Sequence, residues 1–339
     1  MADRELARPP RLLPGARLAL VAPSGVLLER DELARGVELC RALGFVPQLG
    51  RHVGARYGYL AGTDDQRLAD LNDALCDDAV DGVWCLQGGY GTTRLLDRVD
   101  FAALARRPKP VIGYSDITAL LNAIVVAAGV AAFHGPFARD QFGAFNRRHF
   151  ERVLCRAEPA GPGERPAAAA SLLVPREGRV VALRGGVAEG RLVGGNLTLL
   201  QALLGTPFQP RFDGAILFLE DVYEDLYRVD RMLSHLRMAG ALAGLAGVAI
   251  GRFTEMKRAT GGGALALDEV LETYFAPLGI PFAHGFPIGH IEDQWTLPIG
   301  VRARLDADAG TLALLESAVA CRRRYAAPAA RRKRSTALP

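Results

Sequence analysis

The sequence predicts an α/β protein of two domains. The first would be Rossmann-like or flavodoxin-like, with a parallel sheet and helices, and the second mixed α/β with a sheet-like or barrel-like part. The length of 339 residues exceeds what one globular core usually supports. Hydrophobic residues make up 50% of the chain, which is enough for real cores. Strand and helix patterns alternate in the amino-terminal half, as in parallel sheets.

The amino-terminal domain is predicted over residues 1–160, with strands and helices in turn. Its strands, predicted from apolar runs, are Arg17–Ala22, Val80–Leu86 and Pro110–Tyr114. Its helices, predicted from 3.6-residue patterns and caps, cover residues 33–43, residues 63–77 and a segment from Asp116 onward. Because parallel strands end at one edge of a sheet, the loops that begin at Pro23, Gln87 and Tyr114 are expected to converge.

A linker is predicted at 161–182, where the composition changes to Ala, Pro, Gly and Glu around GPGERPAAAA. The carboxyl-terminal domain follows at 183–321 and a basic tail at 322–339. Within the domain, Gly186–Leu204 is expected to hold glycine-rich turns and a short helix. Its other predicted elements are the strands Ala215–Leu219, Val248–Phe253 and Arg302–Asp306 and the helix Tyr227–Ala239.

Charge and cysteine content argue against several classes of protein. Much of the net charge of +4 comes from the tail, so the body is nearly neutral and no nucleic-acid partner is expected. Five scattered cysteines without a Cys-x-x-Cys pair predict neither disulfides nor a zinc site. The amino terminus lacks the apolar run of a signal peptide, and no later run has the length of a membrane span. The expected location is the cytoplasm, with no membrane partner.

Ser115 is a candidate nucleophile, because it stands between the strand PVIGY and the helix DITALLNAIV, with Gly113 easing a tight turn. The pattern Gly-Tyr-Ser-Asp departs from Gly-x-Ser-x-Gly in its last residue, and a serine at a helix start is also a common cap. A nucleophilic serine needs an imidazole to take its proton. His134 and His290, both in loop-shaping sequences, remain alternatives, whereas surface roles are expected for His52, His149 and His235.

A carboxylate would have to orient that imidazole. Glu220 and Asp221 end the predicted strand at Leu219, and Glu224 is a nearby competitor; acids here are also typical helix caps. The sequence QGGYG at 87–91 offers free backbone amides at the same edge, which could form an oxyanion hole with the amide of Asp116. It matches neither a P-loop nor Gly-x-Gly-x-x-Gly, so nucleotide binding is the weaker hypothesis. No metal-ligand spacing is present.

Seven segments follow one another along the chain: VAPSG, LQGGYGTTRLL, PVIGYSDITALL, FHGP, GGNLTLL with LLGTP, FLEDVYEDLYRVDRML and PIGHIEDQWTLPIG. Taken together and in this order, they resemble the LD-carboxypeptidases, serine peptidases that include the microcin-immunity carboxypeptidases. The resemblance implies Ser115 as nucleophile and Glu220 and His290 as the other members of a triad between the two domains. It prefers His290 to His134 and Glu220 to Glu224.

The resemblance further implies release of terminal D-alanine from murein tetrapeptide, without metal or organic cofactor and as a homodimer. The amides of Gly89 and Asp116 would hold the oxyanion, and Gly88, Tyr90 and Asn196 would contact substrate. For the substrate carboxylate, three arginines remain open, namely Arg94, Arg228 and Arg231. The alternative functions are a microcin-immunity-type peptidase that cleaves peptidyl-nucleotides and a protein that binds peptides without cleaving them.

Overall fold

The computed structural model describes residues 5–29, 31–157, 180–256 and 265–321. The basic tail at 322–339 and all of the predicted linker except residues 180–182 lie outside these ranges. Two sheets form the framework, in agreement with the predicted two-part α/β architecture. None of the helices in the described ranges is long and apolar enough to cross a membrane.

The first sheet has six strands in the order β11-β5-β4-β3-β1-β2. Their bounds are β1 Arg17–Val21, β2 Val46–Leu49, β3 Gly82–Cys85, β4 Val111–Gly113, β5 Ala132–His134 and β11 Leu297–Ile299. Strands β1 to β5 pair with their neighbours in parallel, whereas β11 pairs antiparallel with β5. All residues of β3 and β4 are buried, which explains why these central strands are continuous apolar runs in the sequence.

Among the described residues, the α-helices of this half are α1 Glu32–Ala42, α2 Asp64–Cys76, α3 Phe101–Arg106, α4 Thr118–Ala123 and α5 Ala144–Phe150. Thr63 caps α2 as predicted, in a reciprocal capping box with Gln66. A short 3-10 turn at Ser115–Ile117 leads into α4. His149 on α5 is only 1% exposed, so the surface role predicted for it is wrong.

The second sheet has seven strands in the order β13-β12-β7-β8-β9-β10-β6 and curls into a half-barrel. Their bounds are β6 Val181–Arg184, β7 Val187–Asn196, β8 Ala215–Val222, β9 Gly247–Thr254, β10 Phe282–His284, β12 Arg302–Asp306 and β13 Thr311–Leu314. The strands β7 to β10 are parallel, and the outer pairings are antiparallel. The helices of this half are α6 Leu197–Leu203, α7 Leu226–Met238 and α8 Leu267–Phe275.

The prediction of glycine-rich turns in the segment Gly186–Leu204 is wrong, because most of this segment is a strand. Ten of its residues form β7, and the predicted short helix is α6. Glycines are present in the strand because other parts of the protein approach its backbone closely: a Cβ on Gly194 would lie 2.0 Å from the carbonyl oxygen of Phe218. The glycines therefore permit close packing here.

Candidate active site

The three loops expected to converge at the edge of the first sheet do so. The amide of Gly25, after β1, donates to the carbonyl of Gly88, after β3, at 2.8 Å. A Cβ on Gly88 would lie 2.9 Å from Cβ and 3.0 Å from Oγ of Ser115, after β4. The loop at 87–91, called the glycine loop from here on, thus lies directly against the candidate nucleophile.

Ser115 lies in a tight elbow between β4 and the 3-10 turn. Its φ of 57° is in the left-handed region, which is uncommon for a residue with a side chain. The residue is half-buried. A serine in this strained geometry projects its hydroxyl away from the backbone, as in the nucleophile elbows of hydrolases.

One hydrogen-bonded series joins Ser115, His290 and Glu220. The Nε2 atom of His290 is 3.0 Å from Oγ of Ser115, and its Nδ1 atom is 2.8 Å from Oε2 of Glu220. A carboxylate only accepts hydrogen bonds, so Nδ1 carries the proton of the neutral ring. The lone pair of Nε2 is then free to accept the serine proton, as general-base activation requires.

The second half of the protein brings the acid and the imidazole together. Glu220 lies on β8 and its side chain is completely buried, whereas His290, on the loop between β10 and β11, keeps 19% exposure. Gly289, with a φ of 117°, makes this contact possible: a Cβ there would lie 2.8 Å from both Cβ and Oε2 of Glu220. The sequence Gly-His is therefore needed for the imidazole to approach the acid.

Two opposing effects act on the His290 imidazole. Burial lowers the pKa of His290, and the Glu220 carboxylate, through its charge and its hydrogen bond, raises it, with smaller contributions from Asp221 and Asp140. The carboxylates outweigh burial, so the pKa of His290 is raised above its ordinary value. The ring is therefore a stronger base than a free imidazole.

Tyr114 also contacts the imidazole, although no sequence motif selects it as a site residue. Its ring lies 4.8 Å from that of His290 between centroids, and its hydroxyl hydrogen-bonds Gln294 and Asp140. Its place next to Ser115 was the one available signal. Asp140, 25 positions further along the chain than Ser115, had no recognisable motif, and its proximity to His290 follows from tertiary structure alone.

The competing candidates lie outside this series. His134 is fully buried, with its ring centroid 5.4 Å from that of Phe218, and neither of its ring nitrogens has a hydrogen-bond partner among the described residues. Burial lowers the pKa of His134 to about 4. Glu224 forms an ion pair with Arg228 at 3.6 Å. The geometry thus brings together the three residues that the resemblance selected.

The residues predicted to bind the oxyanion and the substrate lie in the glycine loop, at the start of the 3-10 turn after β4 and at the end of β7. Gly89 has a φ of 104°, and the side chain of Asp116 is 1% exposed. Tyr90 is 47% exposed, and its ring lies edge-on to that of Tyr59. Asn196 is buried at the end of β7, where it caps α6 through the amide of Leu199 and donates to Asp221 at 2.8 Å.

The three arginines considered for the substrate carboxylate all have partners within the protein. Arg94 pairs with Asp64 at 2.7 Å, Arg228 pairs with Glu224, and the guanidinium of Arg231 lies over the ring of Tyr227. Across the described ranges, no group of three or more His, Cys, Asp or Glu residues could hold a metal ion.

A serine hydroxyl, an imidazole and a buried carboxylate in hydrogen-bonded series, at the sheet edge of an α/β fold, define the geometry of a hydrolase of the Ser-His-acid type. Comparison with known proteins identifies the family. Residues 18–135 match the LD-carboxypeptidase N-terminal domain, and residues 189–305 match the LD-carboxypeptidase C-terminal domain. The chain belongs to the LD-carboxypeptidase family.

Individual relatives agree with this membership. A putative carboxypeptidase of Streptomyces coelicolor is 41% identical, with 92% of this chain and 97% of the relative covered. The murein tetrapeptide carboxypeptidase of Pseudomonas aeruginosa is 36% identical over 86% of this chain and 94% of its own. The solved structure of the microcin C7 self-immunity protein superposes with a TM-score of 0.84 over 92% of this chain and 99% of its own; at 24% identity it supports the fold alone.

Proposed function

We propose that this protein is a serine carboxypeptidase that hydrolyses the L,D-peptide bond before the terminal D-alanine of murein tetrapeptide. The observation that carries the proposal is the continuous series from Ser115 through His290 to Glu220. The 36% identity to a murein tetrapeptide carboxypeptidase supports this substrate class. The proposal places the enzyme in the cytoplasm, as a homodimer, in the recycling of cell-wall peptides.

In the first half of the reaction, Nε2 of His290 takes the proton of Ser115 while Oγ attacks the carbonyl carbon of the scissile bond. Glu220 stabilises the imidazolium that forms. The amides of Gly89 and Asp116 would donate to the oxyanion of the tetrahedral intermediate. When the intermediate collapses, His290 returns the proton to the leaving nitrogen, and D-alanine departs from an acyl-enzyme.

In the second half, water occupies the position of the departed amine. His290 takes one proton from this water as it attacks the acyl carbon, and then returns that proton to Oγ of Ser115. The shortened peptide leaves with a new carboxylate. The proposed substrate contacts are Gly88 and Tyr90 in the glycine loop and Asn196 at the end of β7.

Purified protein incubated with murein tetrapeptide should lose one alanine from the peptide, as measured by mass spectrometry. Ser115→Ala should reduce turnover by about 10⁴-fold or more, because it removes the nucleophile. The matched control is Ser317→Ala, which removes a hydroxyl that bonds the carbonyl of Val319 in a turn beyond β13. Its turnover should equal that of the wild type.

Other outcomes separate the alternatives. Unchanged tetrapeptide together with cleavage of a peptidyl-nucleotide would assign the protein to the microcin-immunity activity. Tetrapeptide that binds but stays intact would make it a binding protein. Near-normal turnover in Ser115→Ala would remove this serine as nucleophile.

A further inference from the structure

The carboxylate of Asp116 is a buried group that the reaction scheme leaves without a role, since only the amide of this residue enters it. One oxygen, Oδ2, accepts three hydrogen bonds: from Oγ of Ser24 at 2.6 Å, from the amide of Thr92 at 2.8 Å and from Oγ1 of Thr92 at 2.5 Å. Ser24 and Thr92 are completely buried. A single carboxylate thus joins the loops that follow β1, β3 and β4.

A buried arginine also hydrogen-bonds two of these loops, the ones that follow β1 and β3. Arg67 on α2 is 1% exposed, and its Nη1 donates to the carbonyls of Pro23 at 2.5 Å and Gly91 at 3.0 Å. Pro23 and Gly91 directly precede Ser24 and Thr92, the two partners of the carboxylate. The glycine loop is therefore fixed at its carboxyl-terminal end by an arginine and an aspartate acting on adjacent residues.

This attachment lies next to the proposed oxyanion donors. Gly89 is three residues before Thr92, and a Cβ on Gly89 would lie 3.4 Å from Cα of Gly25. Two hydrogen bonds to the carboxylate come from Thr92 itself. Because buried donors lose free energy when they are left unpaired, Ser24 and Thr92 hold their loops in the positions that the carboxylate sets.

We propose that Asp116 is a positioning residue: its carboxylate fixes the glycine loop so that the amides of Gly89 and Asp116 point at the oxygen of the reacting carbonyl. This inference rests on the proposed serine-hydrolase function. The side chain would not touch substrate and would act through Ser24 and Thr92. Its role is in the transition state, where charge develops on that oxygen.

The test is Asp116→Asn, which keeps the shape and an acceptor oxygen but removes the charge that binds three donors. A loop displaced by a fraction of an ångström should lower kcat by about 10- to 100-fold and raise KM by a much smaller factor, because the oxyanion donors act mainly in the transition state. A peptide boronic acid, whose adduct with Ser115 mimics the oxyanion, should lose affinity by the same factor. Binding of the uncleaved tetrapeptide to Ser115→Ala should weaken by a much smaller factor than this when Asp116→Asn is added.

The matched control is Asp100→Asn, since Asp100 also begins a helix and accepts a backbone amide, that of Ala103, at 2.8 Å. Its kinetics should be those of the wild type. If Asp116→Asn does not fold, Thr92→Val and Ser24→Ala each remove one hydroxyl donor and should show smaller losses with the same split between kcat and KM. Unchanged or faster turnover, or a rise in KM at constant kcat, would overturn the proposal.

The rate at which a fluorophosphonate labels Ser115 separates this inference from the proposed function. Labelling needs the nucleophile and the oxyanion donors but not the natural substrate. If wild-type protein is labelled and Asp116→Asn is labelled about 10-fold more slowly, the positioning role holds even when the tetrapeptide is not cleaved. Equal labelling rates would refute the positioning role while leaving the carboxypeptidase activity untouched.

Discussion

At the scale of single residues, the site depends on a strained serine and a histidine of raised basicity. A left-handed φ at a residue other than glycine costs on the order of 1 kcal/mol or more, and it persists only where the surroundings enforce it. At Ser115 the surroundings are the turn into α4 and the backbone of Gly88, which approaches its side chain closely. With this backbone conformation, Oγ of Ser115 lies within hydrogen-bond distance of Nε2 of His290.

The pKa of His290 should control the acid limb of the pH profile. The Glu220 carboxylate is the main group that raises the pKa of His290, so Glu220→Gln should lower the pKa of His290. The base must be neutral to act. The kcat/KM of the wild type should therefore decrease as the pH drops past the pKa of His290, which lies above the ordinary histidine value of about 6.5. In Glu220→Gln the acid limb should move to lower pH while the maximal rate drops.

The measurement is kcat/KM from pH 4 to 9 for wild type and variant. Glu224→Gln is the matched control, because Glu224 pairs with Arg228 and is not among the groups that shift His290. Its acid limb should coincide with that of the wild type. A limb that stays in place in Glu220→Gln would show that another group sets the pH dependence.

At the scale of elements, the glycine loop after β3 should not tolerate a side chain at its contact with the elbow. In Gly88→Ala the new Cβ would lie 2.9 Å from Cβ of Ser115 and 3.0 Å from Cζ of Phe137. The displaced serine should cost about 100-fold or more in kcat/KM, and the overpacking about 1–3 kcal/mol of unfolding free energy. Steady-state kinetics and urea unfolding measure the two effects.

Gly54→Ala is the control for this substitution, because Gly54 is exposed and its Cβ would meet nothing within 4 Å. Its kinetics and stability should remain close to those of the wild type. Full activity in Gly88→Ala would mean that the loop can move away from the serine without consequence, contrary to the arrangement described above.

The elements that sequence predicts well are those whose signals are local. The start of helix α2 is marked by Thr63, which caps the helix in the structure together with Gln66, three positions further along the chain. The glycines of strand β7 predict turns rather than a strand, because the reason for them is the close approach of Phe218 and Thr118 from elsewhere in the chain. The strands β5 and β11, three residues each, are too short to show a period and were not predicted.

At the scale of the whole molecule, the site depends on how the two halves dock. Helix α4, which follows the elbow, packs on β7: Oγ1 of Thr118 accepts from the amide of Asn196, and Nδ2 of Asn122 donates to the carbonyl of Gly194 at 3.0 Å. A Cβ on Gly195 would lie 2.6 Å from Thr118. One core also includes apolar residues from both sheets, so the halves are held in fixed register.

This docking explains which parts of the site the sequence can and cannot reveal. The elbow at Ser115 and the position of Glu220 near the carboxyl end of β8 follow from local patterns. The contact between Ser115 and His290 joins residues 175 positions apart, and no periodicity encodes it. Local sequence patterns therefore do not distinguish His134 from His290, whereas the resemblance of the whole chain to a known family does.

Two buried histidines should make the stability of the whole molecule depend on pH. His134 and His149 are at most 1% exposed, their ring nitrogens have no hydrogen-bond partners among the described residues, and burial lowers the pKa of each to about 4. The unfolded chain, with an ordinary histidine pKa of about 6.5, takes up protons that the folded protein does not. Each ring therefore destabilises the fold progressively as the pH falls from about 6.5 to about 4.

The variant His149→Phe isolates one of these contributions, because a phenyl ring suits the contacts with Phe145 and Trp295 and does not titrate. Between pH 7.5 and pH 5 the variant should lose about 2 kcal/mol less unfolding free energy than the wild type, as measured by urea denaturation at both pH values. His235→Gln, at a half-buried ring bonded to Gln201, should keep most of the wild-type pH dependence. Equal losses in wild type and His149→Phe would mean that the buried ring is protonated within the fold without penalty.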